Sequence, residues 1–112
     1  MKILSGRFGG RGIKTSQKLS YRPTKSVVRK SIFDTLFPFK YNTVLDLFSG
    51  SGIFGFESAS RGAKSITFVE SNLQATKLLK ENSKNLKGPN YEIYPKSVFQ
   101  FLPFQKKYDL IF

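Results

Sequence analysis

Two kinds of apolar pattern alternate along residues 41–112, and together they predict an α/β fold. Short runs of β-branched and large apolar residues are typical of strands in a parallel sheet, and they occur at residues 43–48, 65–69, 91–94 and 108–112. Between the second and third runs, apolar residues recur at helical spacing, and three leucines are predicted to point inward: Leu78, Leu79 and Leu86. Strands that alternate with helices in this way build a mostly parallel sheet.

Cap and turn residues predict where the helices of this half begin and end. A helix is predicted over residues 52–61, with Gly62 as its left-handed C-terminal cap. Residues 71–74 match a capping box at the start of the next helix. A short helical turn is predicted over residues 97–102, because Pro103 cannot continue it.

The N-terminal segment predicts a β-hairpin. Residues 2–5 and 12–15 flank a glycine-rich turn, and glycine supplies the positive φ that tight turns require. Arginine, phenylalanine and glycine alternate in this turn, a composition that suits RNA, with arginines on phosphates and an aromatic ring stacked on a base. A flexible tail is the alternative.

A helix follows the hairpin and ends before Pro38, with Thr24 as its predicted N-cap. Its predicted apolar stripe contains Val28, Ile32 and Leu36. Arg22 and Arg29 lie at or near its start, where cations oppose the helix dipole. We interpret this unfavourable placement as an anion-docking site across the helix start.

The distribution of charge separates the two halves of the chain. The 112 residues carry a formal net charge of +12, which favours a polyanionic partner. Residues 1–40 contain ten Lys or Arg and one acid, whereas residues 41–112 contain nine and six. We therefore assign residues 1–40 to a basic, RNA-binding arm. An evenly basic protein without such a partner would not concentrate its charge in one segment.

Composition excludes several kinds of chemistry. The chain has no cysteine and no histidine, so disulfides, thiolate metal sites and imidazole catalysis are impossible within it. We predict no metal site. No apolar run approaches the length of a membrane span, and the basic N-terminus lacks the apolar block of a secretory signal. A cytoplasmic protein with no membrane partner is expected.

The first strand carries one carboxylate, Asp46, and leads at once into a glycine turn. Gly50, Gly52 and Gly55 match the Gly-x-Gly-x-x-Gly pattern of dinucleotide sites, and Glu70 follows at the expected distance. An acid beside the turn would repel a pyrophosphate, but it suits the sulfonium and ammonium groups of S-adenosylmethionine. S-adenosylmethionine is thus favoured as the cofactor, and an NAD-dependent oxidoreductase is the alternative.

The order of motifs along the whole chain resembles that of the RsmD family. The matching segments are Lys2-Ile3-Leu4-Ser5-Gly6-Arg7, Arg22-Pro23-Thr24, Val28-Arg29 with Ile32-Phe33, Asp46-Leu47-Phe48-Ser49-Gly50-Ser51-Gly52, Glu57-Ser58-Ala59-Ser60-Arg61-Gly62-Ala63 and Tyr108-Asp109-Leu110-Ile111-Phe112. The resemblance implies a class I methyltransferase (Rossmann-like) fold with a hairpin extension. It also implies methylation of guanine N2 in 16S ribosomal RNA, with S-adenosylmethionine as cofactor.

The resemblance implies a role for each candidate residue. The first-strand turn would hold the methionine end of the cofactor through Asp46, Ser49, Gly50, Ser51 and Gly52. Glu70 would bind the ribose hydroxyls, and Ser97 and Val98 would lie beside the adenine, where the family usually has an aspartate in place of Ser97. The RNA-binding candidates are Arg7, Arg11, Arg22 and Arg29.

One family motif has no counterpart in this sequence. Family members follow the last strand with Asp-Pro-Pro-Tyr, and the chain stops at Phe112. We therefore expect residues 41–112 to be the N-terminal half of the cofactor-binding domain, without catalytic residues and inactive alone. The expected partner is ribosomal RNA or the small-subunit particle, and the expected state is a monomer. A non-catalytic RNA-binding remnant remains an alternative.

Overall fold

The structure, a computed structural model, describes residues 1–16, 25–102 and 106–112. Helices and strands follow in the order α1 (Ser26–Thr35), β1 (Thr43–Asp46), α2 (Ile53–Ser60), β2 (Ser65–Val69), α3 (Leu73–Asn85), β3 (Asn90–Tyr94), α4 (Val98–Phe101) and β4 (Leu110–Ile111). The four strands form one parallel sheet in the order β3-β2-β1-β4. The predicted α/β fold is confirmed.

Two apolar cores cover the two faces of the sheet, because successive side chains of a strand point to opposite faces. Val44 and Phe68 belong to the larger core, and Phe68 packs against Phe56 of α2 with the ring centroids 4.9 Å apart. Leu45 and Val69, one position further along each strand, belong to a smaller core with α4. Central strands that are buried on both faces explain the continuous apolar runs of the sequence.

The N-terminal segment packs against the sheet domain instead of forming a free hairpin. The two predicted strands reduce to a single antiparallel bridge, Lys2 to Gly12. Ile3, Phe8 and Ile13 are buried in the larger core, which excludes a flexible tail for residues 1–16. The predicted arm and the predicted cofactor half thus share one core, and their separate functions stay a prediction.

A carboxylate of α2 adds to the backbone hydrogen bonds of the N-terminal segment. Glu57 is fully buried and accepts hydrogen bonds from the backbone N–H groups of Leu4 (2.8 Å) and Ser5 (3.1 Å). One helical turn later, the Ser60 hydroxyl accepts from the Phe8 N–H (2.9 Å). Side chains of a helix therefore satisfy the backbone donors that a neighbouring strand would otherwise bond.

The buried face of α1 differs from the predicted stripe. Val28 is 48% exposed, whereas Arg29 and Phe33 are buried. Phe33 packs against the rings of three aromatic residues from distant parts of the chain: Phe39, Phe54 and Phe112. Because of these long-range contacts, α1 buries a different face from the one that its apolar periodicity predicts. Lys25 occupies the N-cap without a side-chain bond, and Thr24 lies outside the described residues.

The caps of the later helices agree with the sequence in part. Asn72, not a Ser71 capping box, caps α3, because the Asn72 side chain accepts from the Ala75 N–H (3.0 Å). Ser97 caps α4 through a complete capping box. Gly62, after α2, has the positive φ (120°) that its predicted position requires.

Two glycines of the N-terminal turn allow a matched test of this docking. Both have positive φ, but a Cβ at Gly6 would lie 2.0 Å from the Ser60 carbonyl oxygen, whereas a Cβ at Gly10 meets open space. Gly10→Ala should cost about 1 kcal/mol of unfolding free energy through backbone strain alone. Gly6→Ala should cost about 1–3 kcal/mol more, because the contact must open. Urea denaturation measures both losses of unfolding free energy. Equal losses would show that Gly6 is not in close contact with α2.

Candidate functional site

The turn after β1 is fixed by backbone geometry and by one serine. Phe48, Gly50 and Gly52 have φ values of 52°, 54° and 80°, so the chain reverses through three left-handed residues. Ser49 donates its hydroxyl hydrogen to the Asp46 carbonyl (2.6 Å) and accepts from the Val69 N–H (3.1 Å). The turn is thereby tied to the carboxyl end of β2, the edge where open α/β sheets bind ligands.

The last two glycines of the pattern have a packing role. A Cβ at Gly52 would lie 2.4 Å from Leu79 Cδ2, and a Cβ at Gly55 would lie 2.3 Å from the Phe68 ring. Apolar core atoms therefore fill the space that these glycines leave. The predicted cofactor contact at Gly52 gains no support from this packing, because the missing side chain of Gly52 lets α2 approach the sheet.

Asp46 lies buried at the end of β1. Its Oδ2 accepts a hydrogen bond from the Gly55 N–H at 3.3 Å, within the first turn of α2. Burial raises the pKa of Asp46 to about 8, and the negative charge of Glu70 adds to that increase. The side chain is therefore mostly protonated at neutral pH, and a cation placed beside it would favour its ionised form.

Glu70 connects the turn to the start of α3. Its Oε1 accepts from the Gly50 N–H and its Oε2 from the Asn72 N–H, each at 2.8 Å. A carboxylate oxygen has two lone pairs, so both oxygens can still accept from a ligand. The sequence predicted the position of Glu70 at the strand end, but not its backbone partners.

A cleft of about 100 Å³ opens at the same edge of the sheet. Its lining includes three of the predicted cofactor residues, Glu70, Ser97 and Val98. Two exposed aromatic side chains that the sequence did not single out, Phe48 and Phe99, also line it. A phenylalanine is also typical of a core position, so only the fold reveals that these two rings remain outside. The structure brings the predicted adenine and ribose residues together.

The four RNA-binding candidates do not form one cluster. Arg22 lies outside the described residues. Arg29 is buried and donates its Nη2 hydrogen to the Lys2 carbonyl (2.9 Å), while its Nε has no partner. Burial lowers the pKa of Arg29. In this arrangement its guanidinium is not available to an RNA phosphate, contrary to the predicted docking site across the helix start.

Arg7 and Arg11 are exposed and lie on the Phe8 ring, with guanidinium-to-centroid distances of 4.9 and 5.6 Å. Arg7 contacts the loops that precede β2 and β3, so it lies at the amino edge of the sheet. The cofactor cleft lies at the carboxyl edge, across five-residue strands of roughly 16 Å.

The described residues contain neither a membrane-spanning helix nor a metal-binding cluster. Among residues 1–16, 25–102 and 106–112, no helix has both the length and the apolar character that spanning a bilayer requires. Within these same ranges, no group of three or more His, Cys, Asp or Glu side chains is placed to hold a metal ion.

Comparison with known proteins matches the whole chain. The family model described as Conserved hypothetical protein 95 matches residues 1–112. Ribosomal RNA small subunit methyltransferase D of Haemophilus influenzae is 33% identical over 118 aligned residues, which cover 100% of this chain and 61% of that protein. The chain thus spans about three fifths of this relative.

Solved structures agree with the family match. The hypothetical protein TTHA0928 of Thermus thermophilus superposes with a TM-score of 0.81 and 36% identity, over 93% of this chain and 60% of the other. The C-terminal domain of precorrin-6Y C5,15-methyltransferase from Rhodobacter capsulatus shares the fold at 18% identity, with a TM-score of 0.67 over 80% of this chain and 49% of the other. By its sequence and its fold, the chain belongs to the RsmD family.

Proposed function

We propose that this chain provides the cofactor site and part of the RNA-binding surface of an S-adenosylmethionine-dependent ribosomal RNA methyltransferase. The observation that carries the proposal is a buried carboxylate, Asp46, before a glycine turn, at the same edge of the sheet as the cleft that Glu70, Ser97 and Val98 line. The name of the Haemophilus influenzae relative supports ribosomal RNA as the substrate class.

The chemistry of these residues fits the cofactor part by part. Asp46 is suited to the cationic methionine end, because ionisation of a buried acid is favoured by a nearby positive charge. Glu70 can accept from the ribose hydroxyls, and Ser97 and Val98 offer a polar and an apolar contact to the adenine. When bound, S-adenosylmethionine supplies a methyl group attached to a sulfonium sulfur. The sulfur is a good leaving group because it departs as a neutral thioether.

Guanine N2 is the methyl acceptor that we propose. Its amino group is a weak nucleophile, so acceptors that hold its hydrogens and position it against the methyl donor would account for much of the rate. The sequence contains no Asp-Pro-Pro-Tyr, the motif that holds the base in the family. We assign no catalytic residue to these 112 residues. The methyl transfer is proposed for full-length members of the family.

Cofactor binding can be tested with three amide variants. We expect Asp46→Asn to weaken S-adenosylmethionine binding by about 1–3 kcal/mol, the range for a lost charge-assisted hydrogen bond. Glu70→Gln should weaken it less, because its carboxylate is half-exposed and an amide oxygen can still accept from the Gly50 N–H. Asp34→Asn, on the exposed face of α1, is the control. Isothermal titration calorimetry measures all three.

The same titrations separate the alternatives. Binding of S-adenosylmethionine but not NAD to the parent chain supports the proposal, and the reverse result would favour the oxidoreductase. A chain that binds RNA but neither cofactor would be the non-catalytic remnant. If Asp46→Asn binds S-adenosylmethionine as tightly as the parent, the role of Asp46 is refuted.

A further inference from the structure

A second pocket, of about 490 Å³, lies at the amino edge of the sheet, opposite the cofactor cleft. The N-terminal turn contributes Arg7 to its lining. The loop between α2 and β2 contributes Arg61 and Lys64, and the loop between α3 and β3 contributes Gly88. Three cationic side chains therefore line one pocket, although they come from distant parts of the sequence.

Among the described residues, no acid lines this pocket. Glu57 lies four positions before Arg61, but it is fully buried and accepts hydrogen bonds from Leu4, Ser5 and the Arg61 Nε. In the described part of the chain, neither Arg7 nor Lys64 has a carboxylate within ion-pair distance. The pocket therefore has an excess of positive charge that no neighbouring carboxylate pairs with.

In the described part of the chain, packing and not hydrogen-bond acceptors holds the Arg7 guanidinium in place. It lies on the Phe8 ring, and a Cβ at Gly88 would come within 2.7 Å of its Nη1 atom. Arg11 lies on the same ring and donates to the Asn85 carbonyl at 2.7 Å. The donors of Arg7 thus remain available to a ligand while part of its side-chain entropy is already lost, which favours binding.

We propose that this pocket binds a phosphate group of the RNA backbone, as an anchor separate from the methyl-transfer site. Guanidinium groups match phosphate geometry through paired hydrogen bonds, and an ammonium adds a point charge. RNA is favoured over a free anion because Arg11, on the same Phe8 ring as Arg7, continues the positive charge beyond the pocket.

The location of the pocket relative to the cofactor cleft gives the proposed phosphate anchor a function. A strand of RNA held at the amino edge must run along the sheet for roughly 16 Å to reach the cofactor edge. Two fixed points orient the RNA relative to the methyl donor. This inference rests on the proposed function for the identity of the RNA, but the phosphate site stands on its own geometry.

The first experiment titrates the 112-residue chain with inorganic phosphate and follows amide and guanidinium NMR signals. The expected result is saturable shifts at Gly62, Gly88 and the Arg7 Nε that sodium chloride at equal ionic strength does not produce. Arg7→Ala combined with Lys64→Ala should abolish these shifts. Phosphate shifts that are absent, or that persist in this double variant, would overturn the site.

The second experiment measures RNA binding as a function of salt. The Arg7→Ala and Lys64→Ala double variant removes two phosphate contacts. It should flatten the slope of log affinity against log salt by up to about 1.4 units for a single strand. The control is Lys77→Ala combined with Lys80→Ala, which removes the same charge from the exposed face of α3. Slopes equal to the control would overturn the RNA assignment, even if phosphate alone still binds.

The two proposals fail separately. Phosphate shifts and a flattened RNA slope in a chain that does not bind S-adenosylmethionine would support the anchor and refute the cofactor site. Cofactor binding without either phosphate effect would support the cofactor site and refute the anchor.

Discussion

Asp46→Asn is expected to stabilise the fold at pH 9 while it weakens cofactor binding. The folded-state pKa of Asp46 is about 8, whereas the unfolded chain has the ordinary value near 3.9. Between these two pKa values the folded state binds the Asp46 proton more tightly than the unfolded chain does. The stability that Asp46 contributes is therefore present below about pH 4 and is lost as pH rises to about 8. Four pKa units correspond to a loss of roughly 5 kcal/mol of unfolding free energy at pH 9, and a neutral asparagine would not incur this loss.

Urea denaturation at pH 5, 7 and 9 tests this expectation. The chain has no histidine, so few other groups titrate between pH 5 and 8. The parent should lose stability across that range, and Asp46→Asn should be nearly constant. Asp34→Asn, an exposed acid, should follow the parent. Parallel pH profiles for the parent and Asp46→Asn would show that the buried carboxyl is not protonated.

Glu57→Ala is expected to cost about 3–5 kcal/mol, the loss associated with breaking a buried ionic network. The substitution leaves the Leu4 and Ser5 N–H groups without their acceptor, and it unpairs the Arg61 Nε that lies 2.9 Å from Glu57. The negative charge of Glu57 also opposes the lowering of the Arg29 pKa by burial. One carboxylate therefore holds the N-terminal turn, α1 and α2 together.

A matched substitution separates this effect from a general loss of charge. Glu81→Ala removes an exposed partner of Lys14, at 3.7 Å, and should cost less than about 1 kcal/mol. Hydrogen exchange at the Leu4 and Ser5 amides should accelerate only in Glu57→Ala. A small loss, similar to that of Glu81→Ala, would mean that water replaces the carboxylate at little cost.

The sheet and its helices were predictable because their signals are local. Each strand shows its apolar run, and Gly62 and Ser97 mark helix ends through their own backbone preferences. The positions of Glu70, Ser97 and Val98 around one cleft follow from the parallel sheet, because strand ends meet at one edge. These parts of the fold and site need no knowledge of distant contacts.

The features that the sequence did not predict depend on distant contacts. The buried face of α1 is set by Phe33 against Phe112, which are 79 positions apart in the chain. Arg29 changes from a predicted RNA ligand to a buried donor for Lys2, because the hairpin lies across it. Nothing in the local sequence distinguishes Glu57 from a surface glutamate, since its partners are backbone groups near the N-terminus.

The docking of residues 1–16 has a consequence for the order in which the protein folds. This segment is synthesised before its partners. Glu57 and Ser60 on α2 and Asn82 and Asn85 near the end of α3 lie 52 to 74 positions later. Contacts of such sequence separation form late and slowly. Residues 1–16 therefore lack their docking partners until residue 85 has emerged, and we expect nascent chains to be most susceptible to proteolysis and to RNA binding before that point.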